Sequence, residues 1–281
     1  MPELPEVETM CRGIRDIVGR TITEVTTPRR TRRPSPMSPR PSLLARQLAG
    51  RQINAVTRIG KRAVIELRAA NSKPVWLVIE PRMTGLLLRV PPPTDQHVRL
   101  VVALDNGGPP LIFWDRRGLG TIRLLDADAL ATRYGPPTIG PDALCLTGPE
   151  LYAAIHHSRR AIKVALLDQR VTAGIGNIYA AEMLFAAGID PRSRCHRHSR
   201  AVCDQIAFHG RTILRRAVRL EGSSIGDETY RTADNRPGRF QRCNQIYGRE
   251  GSACTQCGTT IRRIIQAQRS TCFCPQCQKR L

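Results

Sequence analysis

Lysine is nearly missing from this 281-residue chain: Lys61, Lys73, Lys163 and Lys279 are all there is, and the other 40 of its 44 basic residues are arginines. Acids are also scarce, 23 in all, which leaves a formal net charge of +21 and a pI near 10.8. Such an excess favours a polyanionic partner, nucleic acid first; the plainer alternative is a basic protein from an arginine-biased proteome. No long apolar run is present. The strongest, "VWLVIE" from Val75, falls far short of the ~20 residues of a membrane span, and the acidic first residues do not form a signal peptide. The expectation is a cytoplasmic protein without a membrane partner. Repeats and low-complexity tracts are absent too, and a hydrophobic content of 41% fits a globular fold of two domains with a small appendage.

Ten cysteines are present. In a cytosolic chain they point to metal or free thiols rather than to disulfides. Cys254-Thr-Gln-Cys257 and Cys274-Pro-Gln-Cys277 are two Cys-x-x-Cys knuckles, separated by a stretch long enough for a β-hairpin. The pattern matches a zinc ribbon holding one structural Zn2+ on four thiolates. Redox thiols are the alternative, and Cys272 is the rival third ligand, at the expense of the symmetric knuckle. The basic character of residues 239–281 suits a ribbon that faces DNA or RNA. "CHRH" at Cys195–His198, with Cys203 beyond, fits no common metal spacing and reads as a solvated approach to a helix.

Short β segments fill the first ~130 residues: "GKRAVIELR", "PVWLVIE", "HVRLVVALDNGG", "LIFWD" and "GTIRLLD". Their closeness predicts a sandwich or barrel rather than βαβ units. A helix precedes them from near Pro5, with Val7, Cys11, Ile14 and Val18 at helical spacing. The stretch Thr27–Ser42, rich in arginine and proline, reads as a mobile solvated loop without an ordinary strand or helix; a phosphate-seeking loop is the alternative. The predicted organisation is α+β and multidomain: an N-terminal domain over 1–133, a linker over 134–150, a helical domain over 151–238 and the ribbon over 239–281. In the last long helix, Val202, Ile206, Ile213 and Ala217 are expected to share the buried face.

The opening "MPELPEVETM" places two prolines and three glutamates in eight residues of a strongly basic protein. Removal of Met1 would make Pro2 a secondary amine at the terminus. An α-amino group titrates near 8 and a lysine near 10.4, so roughly 300-fold more of it is unprotonated at neutral pH. Condensed with an aldehyde, a secondary amine gives a permanently cationic iminium, an electron sink for β-elimination. In nucleic acid, C1′ of a deoxyribose that has lost its base offers that aldehyde. Glu3 could protonate the ring oxygen, with Glu6 one helical turn away. The bland reading is a helix start whose acids complement the macrodipole.

"PELPEVET", "GIGNIYAAE" at Gly174–Glu182 and "AQR" before the second knuckle together resemble formamidopyrimidine-DNA glycosylase, a bacterial base-excision family that includes the endonuclease VIII relatives. The resemblance runs nearly the whole length. It implies an N-terminal β-sandwich with a leading helix, a helix–two-turns–helix domain and a zinc ribbon, with double-stranded DNA carrying a damaged base or abasic site bound in the cleft by a monomer. It also implies a bifunctional glycosylase and AP lyase in a bacterial cytoplasm, at the nucleoid. Pro2 would attack C1′, with Glu3 and Glu6 completing the catalytic start. Lys61, on a sandwich strand, would contact phosphates at the lesion. Asn177 and Arg269 would grip the same backbone, and Lys163 aligns with a lysine implicated in lesion handling. Ser223, Ser224 and Tyr230 fall in the place of the lesion-capping loop and are candidate base contacts.

The resemblance breaks at the residues that fill the hole left by a flipped nucleotide. The family's His-x-Gly-Met-[Ser/Thr]-Gly reads "EPRMTG" here, keeping Met83 and Gly85 with Glu80 in the histidine position. Its Asp-Pro-Arg-Arg-Phe-Gly reads "DRRGLG", keeping Asp115, Arg117 and Gly120, with Arg116 for the proline and Leu119 for the phenylalanine. Arg117 is expected to face the orphaned base. Two alternatives remain: a paralogue that binds abasic DNA, with AP lyase but little base-excision activity, and a zinc-ribbon RNA or transcription factor, which leaves the first eight residues unexplained.

Overall fold

The computed structural model describes residues 2–28, 35–70, 72–105, 107–226 and 229–280. Its elements in chain order are α1 (Leu4–Gly13), β1 (Ile22–Thr26), β2 (Met37–Ser38), α2 (Pro41–Leu48), β3 (Gln52–Ile59), β4 (Arg62–Arg68), β5 (Val75–Glu80), β6 (Gly85–Leu88), β7 (Val98–Leu104), β8 (Leu111–Asp115), β9 (Thr121–Leu125), α3 (Ala127–Tyr134), α4 (Gly148–Ile155), α5 (Ile162–Leu166), α6 (Asn177–Ala186), α7 (Arg200–Arg219), β10 (Arg262–Gln266) and β11 (Arg269–Phe273). They divide into two compact units, Met1–Pro136 with Leu220–Arg239, and Pro137–Arg219 with Phe240–Leu281.

In the first unit, one sheet runs β2-β9-β5-β4-β3 and the other β1-β7-β8-β6. Every pairing is antiparallel except β2 with β9. This is the expected sandwich. Ile65, Leu77, Ile79 and Ile122 from one sheet and Leu86, Leu100 and Phe113 from the other share a core with Val7, Met10, Cys11 and Ile14. All of Leu4–Cys11 is buried, acids included, so α1 is part of the interior and not an amphipathic cover. Val18 stays largely exposed, because the helix ends at Gly13. In the arginine- and proline-rich stretch, residues 29–34 lie outside the described residues. The remainder contradicts a loop without strand or helix: β2 forms, and Pro41 starts α2, where its missing N–H costs nothing.

Leu220–Arg239 departs from the sequence boundaries. They place residues 220–238 in the helical domain and Arg239 in the ribbon, yet Tyr230 and Ala233 join the core of the first unit.

In the second unit, part of the predicted linker is folded, with Ala143 and Leu146 buried. The buried face of α7 is Cys203, Ile206, Ala207, Gly210, Leu214, Ala217 and Val218; it includes the expected Ile206 and Ala217, while Val202 and Ile213 sit at its margin. "CHRH" is not solvated throughout: Cys195 and His198 are buried, and burial pushes the thiol up and the imidazole down. The ribbon packs on α6, with Ile246, Ile261 and Cys272 clustered against Ala181 and Phe185. Glu182 of α6 secures it by accepting the backbone N–H groups of Gln245, Ile246 and Tyr247 at 2.9, 3.0 and 2.8 Å.

Candidate active site and metal centre

Pro2 is buried directly ahead of α1, whose N-cap is Glu3 in extended conformation. Glu3 and Glu6 are 2% and 1% exposed. Carboxylates at this end of a helix complement its positive pole, which accounts for an acidic start in a basic protein. Glu6 binds in two directions. Its Oε2 accepts the Glu3 backbone N–H at 2.8 Å, and its Oε1 accepts the Ser223 backbone N–H at 2.8 Å. The approach is close enough to need glycine before Ser223: Gly222 has φ +76°, and a Cβ there would stand 2.8 Å from Glu6 Oε1.

The loop carrying Ser223, Ser224 and Tyr230 is therefore drawn onto the start of α1. Ser224 Oγ donates to the Tyr230 carbonyl at 2.6 Å and accepts the Gly238 N–H at 2.9 Å. Tyr230 donates its hydroxyl to the Glu221 carbonyl at 2.9 Å. Burial, reinforced by the Glu6 charge, pushes the Tyr230 phenol well above its ordinary value, so it remains a donor. Ser224 and Tyr230 thus tie the loop, while the buried Ser223 hydroxyl has no hydrogen-bond partner among the described residues.

A second cluster centres on Asp115, which is fully buried. Its Oδ1 accepts the Thr84 hydroxyl and the Arg117 N–H (3.2 Å), and its Oδ2 accepts the Gly120 N–H at 2.7 Å. Thr84 Oγ1 also accepts the Arg117 N–H at 3.0 Å. One carboxylate thereby holds the turn presenting Met83 and the turn presenting Arg117 and Leu119. Met83 is 36% exposed, Arg117 is exposed and Leu119 half-buried. Sequence reasoning finds the three displayed side chains and misses the carboxylate that displays them; its signal is an acid at the inner end of an otherwise apolar strand, "LIFWD". Arg116 donates to Thr229 Oγ1 at 3.1 Å, tying this turn to the 221–230 loop.

Lys61 lies in the turn between β3 and β4, not on a strand as expected, because Gly60 at φ +57° has already ended β3. It is half-buried.

In the second unit, Lys163, Asn177 and Arg269 converge. Lys163 is 1% exposed. Its Nζ donates to Thr271 Oγ1 at 2.8 Å and to the Ser270 carbonyl at 3.2 Å. Asn177 opens α6 and donates its Nδ2 to the same carbonyl at 3.1 Å. Arg269 is the preceding residue, exposed at the start of β11. Lys163 is accordingly a strut between α5 and the hairpin, with its ammonium fully engaged inside the protein. The glycines of "GIGN" have a conformational reason at Gly174, whose φ is +106°.

The sulfur atoms of Cys254, Cys257, Cys274 and Cys277 lie within 4.8 Å of one another, the only such group of metal-ligating side chains among the described residues. The Cys254–Cys277 and Cys257–Cys274 separations are 3.8 and 3.5 Å. Four Zn–S bonds of about 2.3 Å in a tetrahedron require sulfurs roughly 3.8 Å apart. The residues fit one structural zinc ion. Cys272 lies buried on β11 outside this group.

Family comparisons agree with this geometry along the chain. The formamidopyrimidine-DNA glycosylase N-terminal domain matches residues 1–122, the H2TH domain of the same enzyme 139–229, and the zinc finger found in FPG and IleRS 251–280. The chain is 40% identical over 288 residues to the formamidopyrimidine-DNA glycosylase of Chloroflexus aggregans, covering 99% of this chain and 98% of that protein. It is 38% identical over 285 residues to that of Chloroflexus aurantiacus, with the same coverage. Among solved structures, MutM (Fpg) of Thermus thermophilus superposes with a TM-score of 0.82 at 35% identity, over 99% of this chain and 98% of that one. Lactococcus lactis Fpg bound to DNA containing an abasic site superposes with a TM-score of 0.86 at 30% identity, over 99% and 100%. From its proline-glutamate start to its four zinc-binding cysteines, the chain belongs to the formamidopyrimidine-DNA glycosylase family.

Proposed function

We propose that this protein excises damaged bases from double-stranded DNA and cuts the strand at the resulting abasic site, with Pro2 as nucleophile. The observation that carries the reading is the placement of Pro2 beside two buried carboxylates, one of which reaches the 221–230 loop. With Met1 removed, the Pro2 nitrogen lone pair attacks C1′ and the C1′–base bond breaks, the departing base taking a proton. Glu3 protonates the ring oxygen, the sugar opens, and an iminium joins Pro2 to C1′. Loss of a C2′ proton expels the 3′ phosphate, a second elimination expels the 5′ phosphate, and water releases the sugar remnant from Pro2. Lys61, Asn177 and Arg269 contact the DNA backbone, with Lys163 setting the hairpin from within. Met83, Arg117 and Leu119 occupy the space of the flipped nucleotide, at a cost in unstacking of a few kcal/mol.

Leu119 favours a second reading, strand cleavage with little base excision, because a leucine cannot stack on a base. One experiment addresses both. Borohydride should trap the protein on abasic DNA through the reduced iminium, and on 8-oxoguanine or formamidopyrimidine duplexes only if the base is first excised. Trapping that persists when mass spectrometry shows Met1 intact would move the nucleophile to a lysine such as Lys61.

A further inference from the structure

Glu80 ends β5 with only 9% of its surface exposed, on an element that leads directly to Met83. Both of its oxygens are occupied. Oε2 accepts Arg62 Nε at 3.2 Å, and Oε1 pairs with Arg82 Nε at 3.1 Å. Arg62 is itself fixed, its guanidinium carbon 4.8 Å from the centroid of the Tyr134 ring and its side chain 15% exposed. Arg82 is different. Its side chain is 53% exposed, and its backbone takes φ +55°, the left-handed region that favours glycine. A long charged residue is held there at a conformational cost, between a buried carboxylate and the exposed Met83. Glu80 meets the Nε side of the fork, and no hydrogen bond among the described residues uses the terminal nitrogens of Arg82.

A guanidinium aligned through Nε presents its outer edge in the fork geometry that matches phosphate. Glu80 with two arginines carries a net positive charge, so the acid does not make this rim repel DNA. We propose that Arg82 grips a backbone phosphate of the strand beside the nucleotide that Met83 displaces, and that Glu80 is the positioning residue that aims it. The assignment rests on the DNA-repair reading above. It adds a phosphodiester contact at the Met83 turn and turns an acid on a DNA-binding face into part of the grip.

The test is affinity for a duplex carrying tetrahydrofuran, an uncleavable abasic analogue, measured between 50 and 200 mM salt for the full-length zinc-loaded protein. Arg82→Ala should weaken binding about tenfold at the lower salt and reduce the log–log salt slope by about one unit, as for one lost phosphate contact. Arg82→Gly, which suits the left-handed backbone, should show the same loss with its thermal unfolding intact, separating a lost contact from a lost fold. Glu80→Gln should weaken binding in the wild-type background and add nothing to Arg82→Ala. An unchanged slope in both Arg82 variants overturns the phosphate contact. Tighter binding by Glu80→Gln overturns positioning, since a carboxylate that merely repels phosphate would give that result. Wild-type protein that binds the duplex no better than intact DNA would instead count against the lesion reading, which the salt slope of Arg82 variants on undamaged duplex keeps separate.

Discussion

Glu6 and Ser223 stand 217 residues apart in sequence and 2.8 Å apart across a hydrogen bond from the Ser223 N–H to the Glu6 carboxylate. Because the other oxygen holds the Glu3 N–H, one side chain couples the start of α1 to the 221–230 loop. A buried donor left without its acceptor costs about 1–3 kcal/mol. Glu6→Ala strands two of them and should lower the unfolding temperature by several degrees, whereas Glu6→Gln, which keeps one acceptor, should lose less. The local readout is hydrogen exchange: the Ser223 amide should lose protection in Glu6→Ala. Unchanged protection in Glu6→Ala would show that the loop is held by Tyr230 and Ser224 alone.

The ribbon gives a second prediction. Cys257→Ser should release zinc and abolish the protected amides of β10 and β11, because the binding energy of a structural zinc is folding energy for so small a module. Lys163→Met should leave zinc bound yet weaken DNA binding, since it leaves the Thr271 hydroxyl without the Lys163 donor and the Ser270 carbonyl, next to Arg269, on Asn177 alone. Metal analysis of protein purified without chelator checks the first claim. A Lys163→Met variant with wild-type affinity for DNA would remove its role as a strut.

Chemistry set by residue type at short spacing is legible in the amino-acid sequence. The four zinc ligands are of this kind, because paired thiolates three residues apart say what they do locally. Roles that depend on distant partners are not legible. Asp115 stands out in the sequence only as a register mark, since its work requires Thr84, 31 residues away. Lys163 enters through the resemblance as a lysine implicated in lesion handling, and nothing local says that its ammonium is buried against the Ser270 carbonyl and the Thr271 hydroxyl. On α7, Ile206 and Ala217 are buried as expected, while Gly210, where a Cβ would lie 2.6 Å from the Met183 methyl, belongs to the buried face although a hydropathy pattern scores glycine as no contact at all. Leu220–Arg239 goes to the wrong neighbour for the same reason: its anchors, Tyr230 and Ala233, find apolar partners in the sandwich rather than in the helices that precede it.

Acid stability follows from Asp168. Its carboxylate accepts from Arg170 (2.9 Å) and Arg160 (3.0 Å), and these bonds hold it below the usual carboxylate range despite partial burial. A group whose folded pKa is depressed stabilises the fold above its unfolded value, near 4, and loses that contribution as pH falls through the folded value. Glu8 adds to the effect: burial pushes it up, but Arg12 and Arg58 outweigh burial and keep it low. Unfolding temperature should therefore fall as the protein is acidified below about pH 4. Asp168→Asn should be less stable than wild type at pH 7 and show a shallower decline in acid. Parallel acid limbs for the two proteins would mean that Asp168 has no part in it.

If the proposed function holds, Leu119 should set how far the protein acts beyond abasic sites. It is half-buried on the turn that Asp115 holds through Arg117 and Gly120, so it is well placed to enter a base stack and has no ring with which to stack. Base–aromatic stacking is worth about 1–3 kcal/mol, and unstacking the target costs a few kcal/mol. An abasic site has already lost that base and asks less of the wedge. Cleavage at abasic sites should accordingly be fast and excision of 8-oxoguanine comparatively slow. Leu119→Phe should raise single-turnover excision about tenfold if ~1.4 kcal/mol is recovered in the transition state, with abasic cleavage nearly unchanged. Arg117→Ala should blunt any preference for cytosine opposite the lesion. Equal wild-type rates on 8-oxoguanine and abasic duplexes, both indifferent to Leu119→Phe, would show that Leu119 does not limit excision and would shift the wedge to Met83 or Arg116.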